Sequence, residues 1–189
     1  MKKVLLIGDS ISMGYGPHVE ALLAAKAEVR RNPGNAGDTD NTLAGVAAWL
    51  AEFPPDVVHF NCGLHDIKGN RKTGARQVPL DRYVRNLPKI LDILRGSGAA
   101  LIWATTTPVV EDKHQASRDF DRLNRDVDVY NAAARSIVQA AGVVLDDLHA
   151  AVTRKGIDTI IAPDGVHFTE DGYRYLGQVV AECIRRVAG

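Results

Sequence analysis

Short runs of apolar residues alternate along the chain with longer stretches in which apolar residues recur at helical spacing. The short runs predict buried strands at residues 4–7, 28–31, 57–61, 100–104 and 143–145. The longer stretches predict helices at residues 19–27, 43–53, 80–94, 123–141 and 172–187. Because this alternation is typical of βαβ units, we predict an α/β fold, a three-layer α/β/α sandwich with about five parallel strands.

The length and composition are those of an ordinary globular protein. The chain has 189 residues, of which 46% are hydrophobic and 24% are charged. No linker, repeat or low-complexity segment divides it. We therefore predict a single domain over residues 1–189.

The charge balance and the cysteines restrict the partners and the location. The 23 basic residues match the 23 acidic residues, which disfavours nucleic acid or an acidic membrane surface as a partner. The first apolar run stops at Gly8, too early for a signal peptide, and no run is long enough for a membrane helix. Cys62 and Cys183 lie far apart, which favours free thiols in a reducing compartment. We expect a cytoplasmic protein.

Two motifs near the ends of the chain carry candidate chemistry. Gly-Asp-Ser-Ile-Ser at residues 8–12 follows the first predicted strand, at the sheet edge where ligands bind to such folds. Ser10 suits a nucleophile there, although a helix cap is the alternative. Pro-Asp-Gly-Val-His-Phe at residues 163–168 lets Asp164 orient His167 as a base, although a cap and a surface histidine are the alternative.

Together these motifs resemble those of the SGNH (GDSL-like) hydrolase family, and the resemblance extends over nearly the whole chain. In that family the first-block Ser is the nucleophile, and the last-block Asp and His complete a catalytic triad. The resemblance implies these roles for Ser10, Asp164 and His167. It also implies a flavodoxin-like fold and a serine esterase that needs no metal or other cofactor and acts on a small-molecule acyl ester.

Two central motifs correspond to the blocks that form the family's oxyanion hole. Asn-Ala-Gly-Asp-Thr at residues 35–39 resembles the second block, which implies that the Gly37 N–H binds the oxyanion beside the Ser10 N–H. An ordinary turn is the alternative. The third block is normally Gly-x-Asn-Asp, whereas this chain has Gly-Leu-His-Asp at residues 63–66. A neutral His65 ring can donate one hydrogen bond in place of the amide, and a structural histidine is the alternative.

Three further polar residues are expected to support the site. Asp9 precedes the proposed nucleophile, and Asn61 lies four residues before His65 in the same strand phase. Asp66 is a candidate to hold the tautomer of His65, although adjacent residues on a strand point to opposite faces. His59, His65 and Asp66 are also residue types that bind zinc, but their spacing matches no recognised ligand pattern, so we expect no metal.

Two polar connections, at residues 67–79 and 107–118, are expected to shape the substrate entrance. The first suits an anionic or sugar-rich substrate, although ordinary solvated charges are the alternative; its cations are Lys68, Arg71, Lys72 and Arg76. Farther along, charges of alternating sign at residues 118–128 predict an exposed helix face.

The predicted substrate is a small or short-chain acyl ester, with O-acetylated carbohydrate as one plausible class. Lysophospholipids and acyl thioesters are alternative substrates. The competing function is a catalytically silent domain that binds an acylated sugar or metabolite, and its support is the altered third block. The sequence predicts no oligomeric state.

Overall fold

A parallel sheet of five strands forms the centre of the protein in a computed structural model that describes residues 1–189. The strands are β1 (Lys2–Ile7), β2 (Ala27–Arg31), β3 (Val57–Phe60), β4 (Gly69–Asn70), β5 (Ala100–Ala104), β6 (Phe120–Asp121) and β7 (Val144–Asp146). The sheet order is β2-β1-β3-β5-β7, and β4 pairs with β6 in a separate antiparallel pair. Without that short pair, the order is that of a flavodoxin-like fold.

Helices cover both faces of this sheet. They are α1 (Ser10–Leu23), α2 (Thr39–Glu52), α3 (Leu80–Gly96), α4 (Glu111–Ser117), α5 (Asn124–Ala140), α6 (Leu148–Lys155), α7 (Ile157–Ile160) and α8 (Glu170–Ala188). Helices α1 and α8 pack together on one face, and α2, α3 and α5 form the layer on the other. Residues 4–7 of β1 are buried on both faces, which explains their unbroken apolar pattern. The predicted fold class and the five parallel strands are confirmed.

The structure differs from the prediction mainly at boundaries and in polar segments. Strand β5 has the predicted bounds, and the other four sheet strands differ by one or two residues at an end. Helix α1 begins at Ser10 rather than at residue 19, because Asp9 caps it. Helices α4, α6 and α7 are additional, since short helices with few apolar residues show too little periodicity to be recognised.

The prediction of an exposed helix face at residues 118–128 is wrong for the first half of this segment. Phe120 and Asp121 form β6, and α5 begins only at Asn124. Arg122 is buried, with 7% of its surface exposed, and its guanidinium lies 5.1 Å from the centroid of the Phe120 ring. The aromatic side chain and the pairing with β4 fold this segment inward, which its alternating charges conceal.

The topology brings three chain segments to one edge of the sheet. Strands β2, β1 and β3 are neighbours and run in the same direction, so the segments that follow Arg31, Ile7 and Phe60 meet at their carboxyl ends. These segments contain the predicted second, first and third blocks. No helix in the structure combines the length and the apolar character required to cross a membrane.

Candidate active site

Ser10 is the first residue of α1, directly after the turn that leaves β1. The cap of this helix is Asp9, whose carboxylate accepts a hydrogen bond from the Ile11 amide at 2.9 Å. Ser10 is therefore not the cap, and its hydroxyl remains available for another partner. Its amide has no acceptor within the protein and belongs to the positive end of the helix dipole.

A tight loop before α8 carries Asp164 and His167. Oδ1 of Asp164 accepts the backbone amides of Val166 at 3.1 Å and His167 at 2.9 Å, so the carboxylate organises its own loop. Gly165 has φ +78°, and a Cβ there would lie 2.5 Å from the Val110 carbonyl oxygen. Only glycine fits this left-handed, closely packed position.

The side chains of Ser10, His167 and Asp164 form one hydrogen-bonded chain. His167 Nε2 lies 2.9 Å from Ser10 Oγ, and His167 Nδ1 lies 2.5 Å from Asp164 Oδ2. The folded chain thus joins residues 157 positions apart in the sequence. Chemically, the imidazole is placed to take a proton from the hydroxyl while the carboxylate fixes its orientation.

The environment keeps the Asp164 carboxyl ionised. Burial favours a higher pKa, but the hydrogen bonds from His167 and from the Val166 amide outweigh burial and lower the pKa of Asp164 below its ordinary value. Arg118 Nη2 also lies 4.0 Å from Asp164 Oδ2. An ionised carboxylate at this point can stabilise a positively charged imidazole ring.

Gly37 lies on the α2 side of this chain, where the second block follows β2. Its amide donates a hydrogen bond to Asn35 Oδ1 at 2.8 Å, within the same turn. The predicted oxyanion donor is therefore engaged within the protein. Buried Asn32 fixes the neighbouring first block, because its Oδ1 accepts the Gly8 amide at 3.0 Å.

The third block forms a turn after β3 rather than an extension of the strand. His65 is half-buried in this turn, so the proposed strand phase between Asn61 and His65 does not hold. Burial, reinforced by the nearby charges of Arg122 and Lys68, lowers the pKa of His65, whereas Asp9 opposes this change. The ring is neutral at neutral pH and retains one N–H to donate.

Asp66 does not hold the tautomer of His65. Its Oδ1 instead accepts hydrogen bonds from the Thr39 amide at 3.0 Å and the Thr39 hydroxyl at 2.5 Å. Since Thr39 begins α2, Asp66 connects the third block to the second. Its Oδ2 is buried without a partner, and burial raises the pKa of Asp66 to about 7.

Asn61 and His59 occupy positions behind the site. Asn61 Nδ2 donates to the Ala104 carbonyl at 2.7 Å, which ties the end of β3 to β5, and the side chain lines a small pocket together with Asp9. His59 is fully buried and its Nε2 lies 3.0 Å from Asp146 Oδ2. The structure therefore does not bring His59 together with His65 and Asp66 as metal ligands.

Three residues at this edge of the sheet were not predicted to take part in the site: Asn32, Asn35 and Arg122. Asn35 is the first residue of the second block and Asn32 lies three residues before it, so their positions near Gly37 are a usable signal. Arg122 Nε donates to the Leu64 carbonyl at 2.7 Å and so holds the third-block turn. Nothing local in the sequence distinguishes Arg122 from its exposed, charged neighbours.

A comparison with family models identifies the family. Residues 6–175 match the model of the GDSL-like Lipase/Acylhydrolase family, and this match includes all four blocks. The chain belongs to the GDSL-like Lipase/Acylhydrolase family. The resemblance inferred from the sequence is thereby confirmed.

One curated relative and several solved structures resemble this family member. An arylesterase of Vibrio mimicus is 31% identical over 112 residues, which are 53% of this chain and 52% of the relative, so the match spans about half of that protein. The lipase/acylhydrolase from Enterococcus faecalis superimposes with a TM-score of 0.82 at 21% identity, over 98% of this chain and 96% of its own.

A second solved structure is a catalytic mutant of an acetylxylan esterase from Geobacillus stearothermophilus. It superimposes with a TM-score of 0.79 at 20% identity, over 97% of this chain and 94% of its own. At these identities the structural likenesses show a shared fold.

Proposed function

We propose that the protein is a serine ester hydrolase that cleaves small or short-chain acyl esters. The observation that carries this proposal is the hydrogen-bonded chain from Ser10 Oγ through His167 to Asp164, with distances of 2.9 and 2.5 Å. Ser10 is the proposed nucleophile, His167 the base and Asp164 the residue that orients and stabilises the imidazolium. Membership in a family of lipases and acylhydrolases supports these roles.

The proposed reaction proceeds in two halves. Ser10 Oγ attacks the carbonyl carbon while His167 Nε2 takes its proton, and collapse of the tetrahedral intermediate breaks the bond to the alcohol, which leaves with that proton. Water then attacks the acyl-enzyme, again losing a proton to His167. The second collapse releases the carboxylic acid and returns the proton to Ser10.

We assign the oxyanion to three donors: the amides of Ser10 and Gly37 and the ring of His65. The Ser10 amide is free within the protein and lies at a helix N-terminus, which favours developing negative charge. The Gly37 amide becomes available once the oxyanion replaces Asn35 Oδ1. The lowered pKa of His65 supports a neutral ring that donates through one nitrogen.

O-acetylated carbohydrate is the substrate class that we favour, and the structural likeness to an acetylxylan esterase supports it. Lysophospholipids and acyl thioesters are the alternatives within the same chemistry. A screen of acetylated sugars, lysophospholipids and acyl thioesters, with Ser10→Ala as the blank, separates the three. Release of acetate from sugars alone supports the first class.

We also propose that the protein works in a reducing compartment, as in the cytoplasm. Cys62 and Cys183 are both buried and free. Burial raises the pKa of both thiols, to about 11 for Cys183, so neither is a reactive thiolate at neutral pH. Fractionation of the native host tests this location.

The decisive experiment compares turnover of p-nitrophenyl acetate by the wild type, Ser10→Ala and Ser136→Ala. Ser136 is an exposed serine that bonds only within its own helix, so its loss is the matched control. We expect Ser10→Ala alone to lower kcat by several orders of magnitude and to abolish labelling by a fluorophosphonate. A folded wild type that neither turns over the ester nor becomes labelled would favour the silent binding domain.

A further inference from the structure

Arg122 is a buried cation with an incomplete set of partners beside the candidate active site. It is only 7% exposed, and its single hydrogen bond runs from Nε to the Leu64 carbonyl at 2.7 Å. Its two Nη atoms make no hydrogen bond within the protein. Leu64 lines the pocket behind Ser10 together with Asp9, so the guanidinium lies on the third-block side of the crevice.

The carboxylates in this region are already engaged elsewhere. Asp9 caps α1 through the Ile11 amide, and Asp164 holds His167. Burial lowers the pKa of Arg122 to about 10, against the opposing effect of Asp9, so the side chain is still charged at neutral pH. A buried charge without a contacting counter-ion is costly, and a charged group with a perturbed pKa beside a cleft is a candidate for ligand binding.

A second cation without an ion pair shares the same aromatic ring. Lys68 Nζ lies 4.3 Å from the centroid of Phe120, and the Arg122 guanidinium lies 5.1 Å from it. The neighbouring cations differ, because Arg71 pairs with a carboxylate at 2.9 Å and Arg76 with another at 2.7 Å. Of the four cations in the 67–79 connection, Lys68 and the exposed Lys72 therefore lack an ion pair, and of these two only Lys68 lies over the Phe120 ring.

We propose that Arg122 and Lys68 bind an anionic group, a carboxylate or a phosphate, on the alcohol portion of the ester substrate. This inference rests on the proposed ester hydrolysis. Because the proposed acyl group is small, the anion belongs to the alcohol. The free Nη pair of an arginine matches two oxygens of a carboxylate or phosphate, and a lysine at the same ring adds a point charge.

The test compares three acetyl esters of phenols: neutral phenyl acetate, para-carboxyphenyl acetate and para-acetoxyphenyl phosphate. Each kcat/KM is divided by the ester's rate of alkaline hydrolysis to remove differences in leaving-group reactivity. We expect at least one anionic ester to exceed the neutral ester by about tenfold to a hundredfold, mainly through a lower KM. The better of the two anionic probes identifies the group as carboxylate or phosphate.

Two variants and a control assign that preference to the two cations. Arg122→Gln and Lys68→Gln should each lower the ratio of anionic to neutral kcat/KM about tenfold. Lys68→Gln should change kcat/KM for phenyl acetate little, whereas Arg122→Gln also loses the bond to the Leu64 carbonyl and should lower it as well, so the ratio is the readout for Arg122. Lys68 makes no side-chain hydrogen bond, so its variant remains informative if Arg122→Gln does not fold. Arg125→Gln removes an exposed charge of the same segment and should leave the ratio unchanged.

Two outcomes would overturn the inference. One is a wild type without preference for either anionic ester; the other is a folded Arg122→Gln or Lys68→Gln protein that retains the wild-type ratio. If phenyl acetate also shows no Ser10-dependent turnover, the proposed hydrolysis fails as well. In that case, calorimetry measures the binding of para-hydroxybenzoate and para-hydroxyphenyl phosphate to the Ser10→Ala protein and so tests the anion site alone. Binding that becomes weaker when Lys68→Gln is added supports the site, and absence of binding rejects it.

Discussion

The two sides of the crevice differ in how completely the protein satisfies their polar groups. On the side of Ser10, Asp164 and His167, each side chain has a partner inside the protein, and Asp164 accepts three hydrogen bonds. On the third-block side, the His65 ring has none and one oxygen of Asp66 is buried without a partner.

This difference separates preorganised chemistry from adaptable recognition. A fixed hydrogen-bonded chain reduces the reorganisation needed during reaction, which is where preorganisation contributes most to rate. Under the proposed function, the His65 ring on the opposite side gains a partner when a substrate binds, whereas Asp66 stays buried. The comparison predicts that substitutions in the preorganised side, the Ser10-His167-Asp164 chain, lower kcat strongly for every substrate. Substitutions on the adaptable side, at the oxyanion donors outside this chain, should change kcat less and by amounts that depend on the substrate.

The largest expected effect is that of Asp164→Asn. An amide keeps the size of the side chain but favours the wrong imidazole tautomer and does not stabilise the imidazolium, so we expect kcat to fall on the order of ten-thousandfold. The measurement is kcat for p-nitrophenyl acetate, with the exposed Asp92→Asn as control. A decrease in kcat of less than tenfold would mean that the reaction does not depend on the Ser10-His167-Asp164 chain.

The next effect concerns stability and the buried carboxyl of Asp66. Burial raises its pKa from 3.8 to about 7 in the folded protein, so between these values the folded state holds a proton that the unfolded chain has lost. The free energy of unfolding therefore decreases as pH rises from about 4 to 7, by at most about 4 kcal/mol.

Asp66→Asn mimics the protonated acid and should remove this decrease, while its oxygen still accepts from Thr39. Urea denaturation of both proteins at pH 5 and pH 8 measures the change, with Asp92→Asn as the exposed control. An unaltered pH slope in a folded Asp66→Asn protein would show that the carboxyl is ionised in the native state.

The sequence predicted the parts of this molecule that local patterns determine. The central strands β1, β3 and β5 are largely apolar on both faces, which made them recognisable. The edge strand β2 has a less apolar pattern, because Glu28, Arg30 and Arg31 interrupt it. The beginning of α1 could not, because Gly14, Gly16 and Pro17 disfavour a helix. In the fold a Cβ at Gly14 would overlap the ring of Tyr173, so this glycine permits the close packing of α1 on α8.

In the candidate site, too, local motifs were recognisable from the sequence, whereas contacts between distant segments were not. Motifs in the first and last blocks indicated that Ser10, Asp164 and His167 belong together, and the structure brings their side chains into hydrogen-bond distance. The partner of Asp66 and the burial of Arg122 depend on segments far away in sequence, Thr39 and Leu64. No periodicity or spacing near either residue contains that information.

His65 tests the adaptable side directly. If its ring donates to the oxyanion, His65→Ala should lower kcat about a hundredfold, whereas His65→Asn should retain most of the activity because an amide also donates. His149→Ala, which removes another half-buried ring, is the control. Equal kcat values for the wild type and His65→Ala would remove the ring from the oxyanion hole.

Asn35→Ala should give the smallest effect and the opposite sign. The Gly37 amide donates to Asn35 Oδ1 at 2.8 Å, so an oxyanion that takes this donor must first break an existing bond. Removing the competitor makes the donor available and should raise kcat two- to tenfold, which is the net value of one hydrogen bond.

The control for this change is Asn41→Ala, which loses a hydrogen bond to Ala36 in the same loop without freeing the Gly37 amide. An increase in kcat for Asn35→Ala alone would show that the hydrogen bond between Gly37 and Asn35 competes with the oxyanion, as expected for the adaptable side. A decrease would show instead that Asn35 holds the glycine in its productive position, and the second block would then belong with the preorganised side.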